Sequence, residues 1–196
     1  MDLNLGDTQL IIAECERRGV LRNQAAYILA TAKWETAHTM KPVVEAYWLS
    51  EEWRSKNLRY YPWHGRGYVQ LTWERNYLRA GKALDVDLIT DPDRAKDPKY
   101  AVPILVVGSM EGWFTGKKIP DYITAQKSDF VGARRVINGT DKAQQIADLA
   151  RDYDEALEAA GYGKGPIAPP ATEVPSGGLA AAILSILAII SALFRR

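Results

Sequence analysis

The chain has 196 residues, a mass of 21.8 kDa, and 25 Lys+Arg against 24 Asp+Glu. A formal charge of +1 excludes the broad basic excess of a nucleic-acid reader, and 47% apolar residues exclude intrinsic disorder. The averages conceal two materials: residues 166–196 carry charge only at Glu173, Arg195 and Arg196, which leaves the rest formally neutral.

Taken in chain order, the body reads as mainly helical. Residues 1–7 offer neither a basic n-region nor a long apolar run, so no ordinary signal peptide is expected there. Asp7 is an expected N-cap for a helix that runs to Arg18 and stops at Gly19. Its Cys15, the chain's single cysteine, allows no internal disulfide and reads as a small packed residue. Asn23 is the expected cap of a second helix, with Ala25, Ala26, Ile28, Leu29 and Ala32 inward and Glu35 near its end. Residues 41–69 read as irregular, apart from a short helix opened by Ser50 with Glu51 and Glu52 in its first turn. Tyr68-Val69-Gln70-Leu71 is the best strand candidate. Asp97-Pro98 opens an apolar helix to about Phe114. Ser128 is an expected start for a short helix before Asn138-Gly139. From Asp141 the inward positions Ala143, Ile146, Ala147, Ala150, Tyr153, Leu157 and Ala160 recur at helical spacing, and Gly161 ends them.

After Tyr162 the composition changes. Residues 163–178 hold four Pro and four Gly and read as a linker. Residues 174–194 carry no charge at all, and 179–194 are apolar on every side, so a transmembrane helix with Arg195-Arg196 as its basic end is expected. The alternative is a buried or oligomerising helix.

The chemistry concentrates in residues 34–77, which hold five of the six Trp (34, 48, 53, 63, 73) and five of the ten Tyr (47, 60, 61, 68, 77). Flat amphipathic rings among polar groups suit either sugar stacking or an aromatic core. Glu35 and Glu45 supply two carboxyls on different elements. Acetal hydrolysis needs such a pair, one protonated for the leaving oxygen and one ionised for water or the anomeric carbon. Glu51, Glu52 and Glu74 are rival second carboxylates. His38 and His64 lack metal-ligand spacing, so neither a metal nor a cofactor is expected.

Glu35-Thr36, Glu45, then Gly65-Arg66-Gly67-Tyr68-Val69-Gln70-Leu71-Thr72-Trp73 with Asn76-Tyr77, resemble the signature of the family 19 glycoside hydrolases. These comprise the plant-type chitinases and similar phage endolysins. Val136-Ile137-Asn138-Gly139 resembles the family's later I-N-G element. The resemblance covers roughly residues 7–160. It implies a lysozyme-like, two-lobed helical domain with a minor β element over residues 1–162, and an inverting mechanism. It also implies Glu35 as general acid, Glu45 as general base and Thr72 as a holder of the attacking water. Gln70, Asn76 and Asn138 would bond the sugar or the catalytic groups. Tyr47, Tyr61 and Trp73 are the candidate sugar platforms, and Arg66 either contacts substrate or ties its loop to a carboxylate.

Two departures from the plant pattern, Trp34 before the acid Glu and the lack of paired cysteines, point towards the compact phage branch. The expected partners are therefore peptidoglycan glycan strands and, through the C-terminal helix, a lipid bilayer, with a monomeric body. The expected location is the inner membrane of a bacterial host, after synthesis in its cytoplasm. Chitin hydrolysis is the close alternative. A membrane-permeabilising or wall-binding protein with the tail as its active element is the alternative from another class.

Overall fold

The computed structural model describes residues 1–164. Six α-helices and one two-stranded sheet follow in the order α1 (Thr8–Arg17), α2 (Arg22–Glu35), β1 (Val43–Val44), α3 (Glu51–Asn57), β2 (Arg66–Gly67), α4 (Glu74–Leu84), α5 (Pro98–Glu111) and α6 (Ala143–Ala159). Short 3-10 turns lie at Pro92–Lys96, Ile119–Asp121 and Gly132–Val136. Among the described residues no helix is long and apolar enough to cross a membrane. The expected membrane helix at 179–194, and the linker beyond Lys164, lie outside the described residues.

α2 is the centre of the main core. It buries nine consecutive positions, Gln24 to Ala32, because it carries small or apolar side chains all round. α6 packs along it most extensively, and the α6 stripe of Ala143, Ile146, Ala147, Ala150, Tyr153 and Leu157 is buried as its spacing requires. Ala160 is exposed and follows the helix end. α5 joins this core through Val102, Leu105 and Val106. Through Ile104 and Val107 it also joins a second cluster with Leu71, Tyr77, Ala80, Leu88 and Trp113. The core therefore divides into two apolar clusters that share one helix.

Several local expectations are corrected by tertiary partners. Asp7 is the N-cap residue of α1 as expected, but its side chain makes no cap bond, since its carboxylate accepts from Tyr68 Oη at 2.7 Å and pairs with Lys41. Asn23 lies inside α2, whose N-cap is Leu21, and its amide donates instead to the Thr124 carbonyl and Ser128 Oγ. The strand lies just before 68–71. Arg66–Gly67 pair antiparallel with Val43–Val44, and Gln70 turns the chain at φ +54°. α5 stops at Glu111 because Gly112 takes φ +76°, short of Phe114. The helical turn near Ser128 begins only at Gly132. Where the capping side chain has no competing partner the expectation stands. Ser50 accepts from Trp53 N at the start of α3, and Asp97 from Lys99 N at the start of α5.

Candidate active site

Glu35 is the last residue of α2, so the most buried helix of the fold delivers it to the edge of the core. Thr36 closes that end. Its hydroxyl donates to the Ala32 carbonyl at 2.8 Å and accepts from Met40 N at 3.0 Å, while Ala37, His38 and Met40 take positive φ and turn the chain sharply. The threonine of the Glu-Thr pair thus fixes the exit of the helix beside the acid. The Glu35 side chain is 19% exposed, and its Oε1 accepts from Arg134 Nη1 at 2.7 Å. The group that faces Glu35 is thus a cation.

Arg134 is 4% exposed and sits in the 3-10 turn Gly132–Val136. Its Nε donates to the Asp141 carbonyl at 3.0 Å, which leaves Nη1 aimed at Glu35. Asn138, just past that turn, donates its backbone N–H to the Arg134 carbonyl at 3.0 Å. Its side-chain oxygen accepts from the neighbouring Gly139 N. Glu35 and Arg134 are therefore paired, and Asn138 is tied to Arg134 through its backbone alone.

A second cluster surrounds Glu45. The residue follows β1, and its backbone N–H bonds the Gly65 carbonyl at 2.8 Å, one step beyond the sheet pairing. Its two carboxylate oxygens are held separately. Tyr60 Oη donates to Oε1 at 2.6 Å and Gly65 N donates to Oε2 at 2.9 Å. A Cβ on Gly65 would stand 2.6 Å from Gln70 Oε1 and 3.2 Å from Glu45 Oε2, which explains the first glycine of the G-R-G string. Gln70 donates from Nε2 to the Val43 carbonyl at 3.2 Å. Thr72 Oγ1 donates to the Gln70 carbonyl at 2.7 Å, so its lone pairs remain to accept a hydrogen bond from water. Asn76 Nδ2 in turn holds the Thr72 carbonyl at 2.8 Å. The structure thus brings together Glu45, Gln70, Thr72 and Asn76, and adds Tyr60.

The remaining candidates lie around these clusters. Arg66 is buried. Its guanidinium bonds Asp93 at 2.9 Å, the Pro62 and His64 carbonyls at 2.8 and 3.2 Å, and Tyr77 Oη at 3.1 Å. Of its two readings the loop tie is the one the geometry supports. Trp73 opens α4 with its ring partly exposed; Tyr60 meets it edge-on at 5.0 Å, and the Arg59 guanidinium lies over it at 5.0 Å. Tyr47 is exposed and packs edge-on against the equally exposed Trp48 at 5.2 Å. Tyr61 stacks on the fully buried His64 ring at 5.7 Å. Neither nitrogen of His64 has a hydrogen-bond partner. Burial first, then the Arg66 charge, holds the His64 ring below its ordinary protonation range.

Of the rival carboxylates, Glu51 pairs with Arg54 at 2.6 Å, which holds it below the usual carboxylate range, and Glu74 sits exposed in the first turn of α4. Among the described residues no group of three or more His, Cys, Asp and Glu could hold a metal ion. A cavity of about 320 Å³ between α4 and the loop after it, lined by Tyr77, Gly81 and Leu88 among others, includes none of the candidate residues.

Residues 29–118 match the family model described as chitinase class I, glycoside hydrolase family 19. That stretch is similar to the family 19 glycoside hydrolases. The matched stretch includes Glu35, Glu45, the G-R-G turn, Gln70, Thr72 and Asn76, and it ends before Arg134 and Asn138. Curated relatives are plant proteins. An acidic endochitinase of Dioscorea japonica is 36% identical over 77 residues, which is 38% of this chain and 28% of that protein. Two endochitinases of Arabidopsis thaliana are 50% identical over 40 residues and 35% identical over 78 residues. Those alignments take in 20% and 39% of this chain, and 14% and 25% of the relatives. The chain therefore spans about a quarter or less of the lengths of most of these relatives, and the family 19 likeness is concentrated on the elements that carry the two carboxyls.

Sequence reasoning missed two of the polar residues in this candidate site, Tyr60 and Arg134. Neither lies in the quoted signature, and each meets its partner across a long separation, 15 residues for Tyr60 and 99 for Arg134.

Proposed function

We propose that the chain hydrolyses β-1,4-glycosidic bonds in a polymer of N-acetylated amino sugars, with Glu35 as general acid and Glu45 as general base. The observation that supports this is the Glu45 carboxylate. Two donors engage one lone pair on each oxygen and leave the others free to take a proton. In the reaction Glu35 gives its proton to the glycosidic oxygen as the bond to the anomeric carbon breaks. Water attacks that carbon from the opposite face, and Glu45 takes the proton the water loses. Thr72 accepts a hydrogen bond from the same water. The product carries the inverted anomeric configuration, and the new Glu35 carboxylate faces Arg134 until solvent returns its proton.

Chitin-type glycans are the first substrate to test, because the relatives named above are called endochitinases. Bacterial peptidoglycan is the second reading. In it the chain would act as a phage-type endolysin, and the uncharged run 174–194 would anchor it to a bilayer. Trp34 before the acid Glu, together with the single cysteine, favours this reading. One preparation of the full chain, assayed for reducing ends released from chitin oligosaccharides and from purified peptidoglycan, separates the two. The Glu35→Gln chain should release none from either, and release at the parent rate overturns the assignment. Flotation with anionic vesicles should carry the full chain, and should leave behind a chain lacking 166–196.

A further inference from the structure

The Glu45 carboxylate stands at the end of a two-residue strand, on one of the most rotamer-rich side chains, so something has to aim it. The sheet supplies only the Gly65 N–H, at 2.9 Å from Oε2. The second constraint comes from Tyr60, whose hydroxyl reaches Oε1 at 2.6 Å from the loop after α3. Its ring is itself fixed by the edge-on contact with Trp73, and the Trp73 backbone N–H is tied to the Trp63 carbonyl at 2.9 Å.

We propose that Tyr60 is the positioning residue of the general base, holding Glu45 in one rotamer by donating to Oε1. The inference rests on the reading of Glu45 as base. A phenol suits the task because it donates one proton and carries no charge of its own, so it restrains the carboxylate without neutralising it as Arg or Lys would. The hydrogen bond to Glu45, followed by burial, pushes the Tyr60 hydroxyl up to about 12, so it remains a donor throughout the working range of such an enzyme. The edge-on contact also connects the base to Trp73, a candidate sugar platform, so an occupied platform would tighten the ring that aims the carboxylate.

Tyr60→Phe keeps the ring and removes only the donor; Tyr60→Leu removes both. With a soluble amino-sugar oligomer and the full chain, Tyr60→Phe should lower kcat about tenfold, the loss expected for one hydrogen bond to a charged group. KM should change less than about twofold, because the hydroxyl addresses the base and not the sugar. The thermal midpoint of Tyr60→Phe should stay near that of the parent, since the Trp73 contact survives. A Tyr60→Phe chain with parental kcat, alongside a Tyr60→Leu chain that is impaired, would reduce Tyr60 to a packing residue and overturn the proposal. Glu45→Gln distinguishes the two failures. If it turns over like the parent, the base assignment falls and Tyr60 with it. If it is inactive while Tyr60→Phe is unaffected, only the role of Tyr60 falls.

Discussion

Replacing Arg134 by Met removes the cation that faces Glu35 while keeping a flexible apolar stem in the same volume. Two hydrogen bonds are lost, the one to Glu35 Oε1 at 2.7 Å and the one to the Asp141 carbonyl at 3.0 Å. The first is charge-assisted and worth about 1.5–3 kcal/mol, and the second, neutral on one side and close to solvent, about 0.5–1 kcal/mol. Because the Glu35 side chain is 19% exposed, water recovers part of its solvation, so the lower half of the range applies. The expected cost is about 2–3 kcal/mol, or about 4–12 °C in thermal midpoint for a body of this size. Urea denaturation of the full chain, with Glu35→Gln and the double variant completing the cycle, isolates the pair. The two substitutions should be non-additive by about 1 kcal/mol or more. Additivity within about 0.5 kcal/mol would show that the ion pair does not hold Glu35 and would refute the reasoning.

Three further outcomes follow from the same contacts. His64 is held below its ordinary range, so the folded state binds its proton less readily than the unfolded chain. Its contribution is fully present above the unfolded value of about 6.5 and is lost as pH falls through the folded value. Between pH 7 and 5 the parent should therefore lose thermal midpoint faster than His64→Phe, and parallel curves would contradict the assignment. Gly65→Ala places a Cβ against Gln70 Oε1 and Glu45 Oε2. Turnover should drop by about tenfold or more, with stability changed by less than about 1 kcal/mol, as read by rate and urea midpoint on one preparation. Arg66→Lys loses the forked contacts to Asp93, two carbonyls and Tyr77, and should cost about 2–4 kcal/mol in urea unfolding. A cost under about 1 kcal/mol would return Arg66 to the list of substrate contacts.

The helices that pack one face on the core were legible in the chain, since burial writes its period into α6 and its small-residue density into α2. Caps were legible only where nothing distant competed for the side chain. Ser50 and Asp97 cap, whereas Asp7 and Asn23 are drawn away by Tyr68, Lys41, Thr124 and Ser128. α4 passed unseen for a related reason. It starts at Trp73 with φ +77° and no side-chain cap, and its buried residues are only Tyr77, Ala80 and Gly81. The strand was displaced from 68–71 because Gln70 adopts a left-handed turn that alternation cannot reveal. At the site, the residues of the signature were readable as residues and not as contacts. The string leaves Arg66 as either a substrate contact or a loop tie, and only the fold shows the buried tie. Tyr60 and Arg134 have no local pattern, because chain folding alone brings each to its carboxylate.

The most direct test of the central claim is mass analysis of the fragments released by the full chain and by Glu35→Gln from chitin oligosaccharides and from purified peptidoglycan. Hydrolysis by Glu35 and Glu45 predicts fragment pairs whose masses sum to the intact glycan plus one water, cut between amino sugars, from the parent alone. Fragments released equally by Glu35→Gln, or pairs lacking the added water, would contradict it.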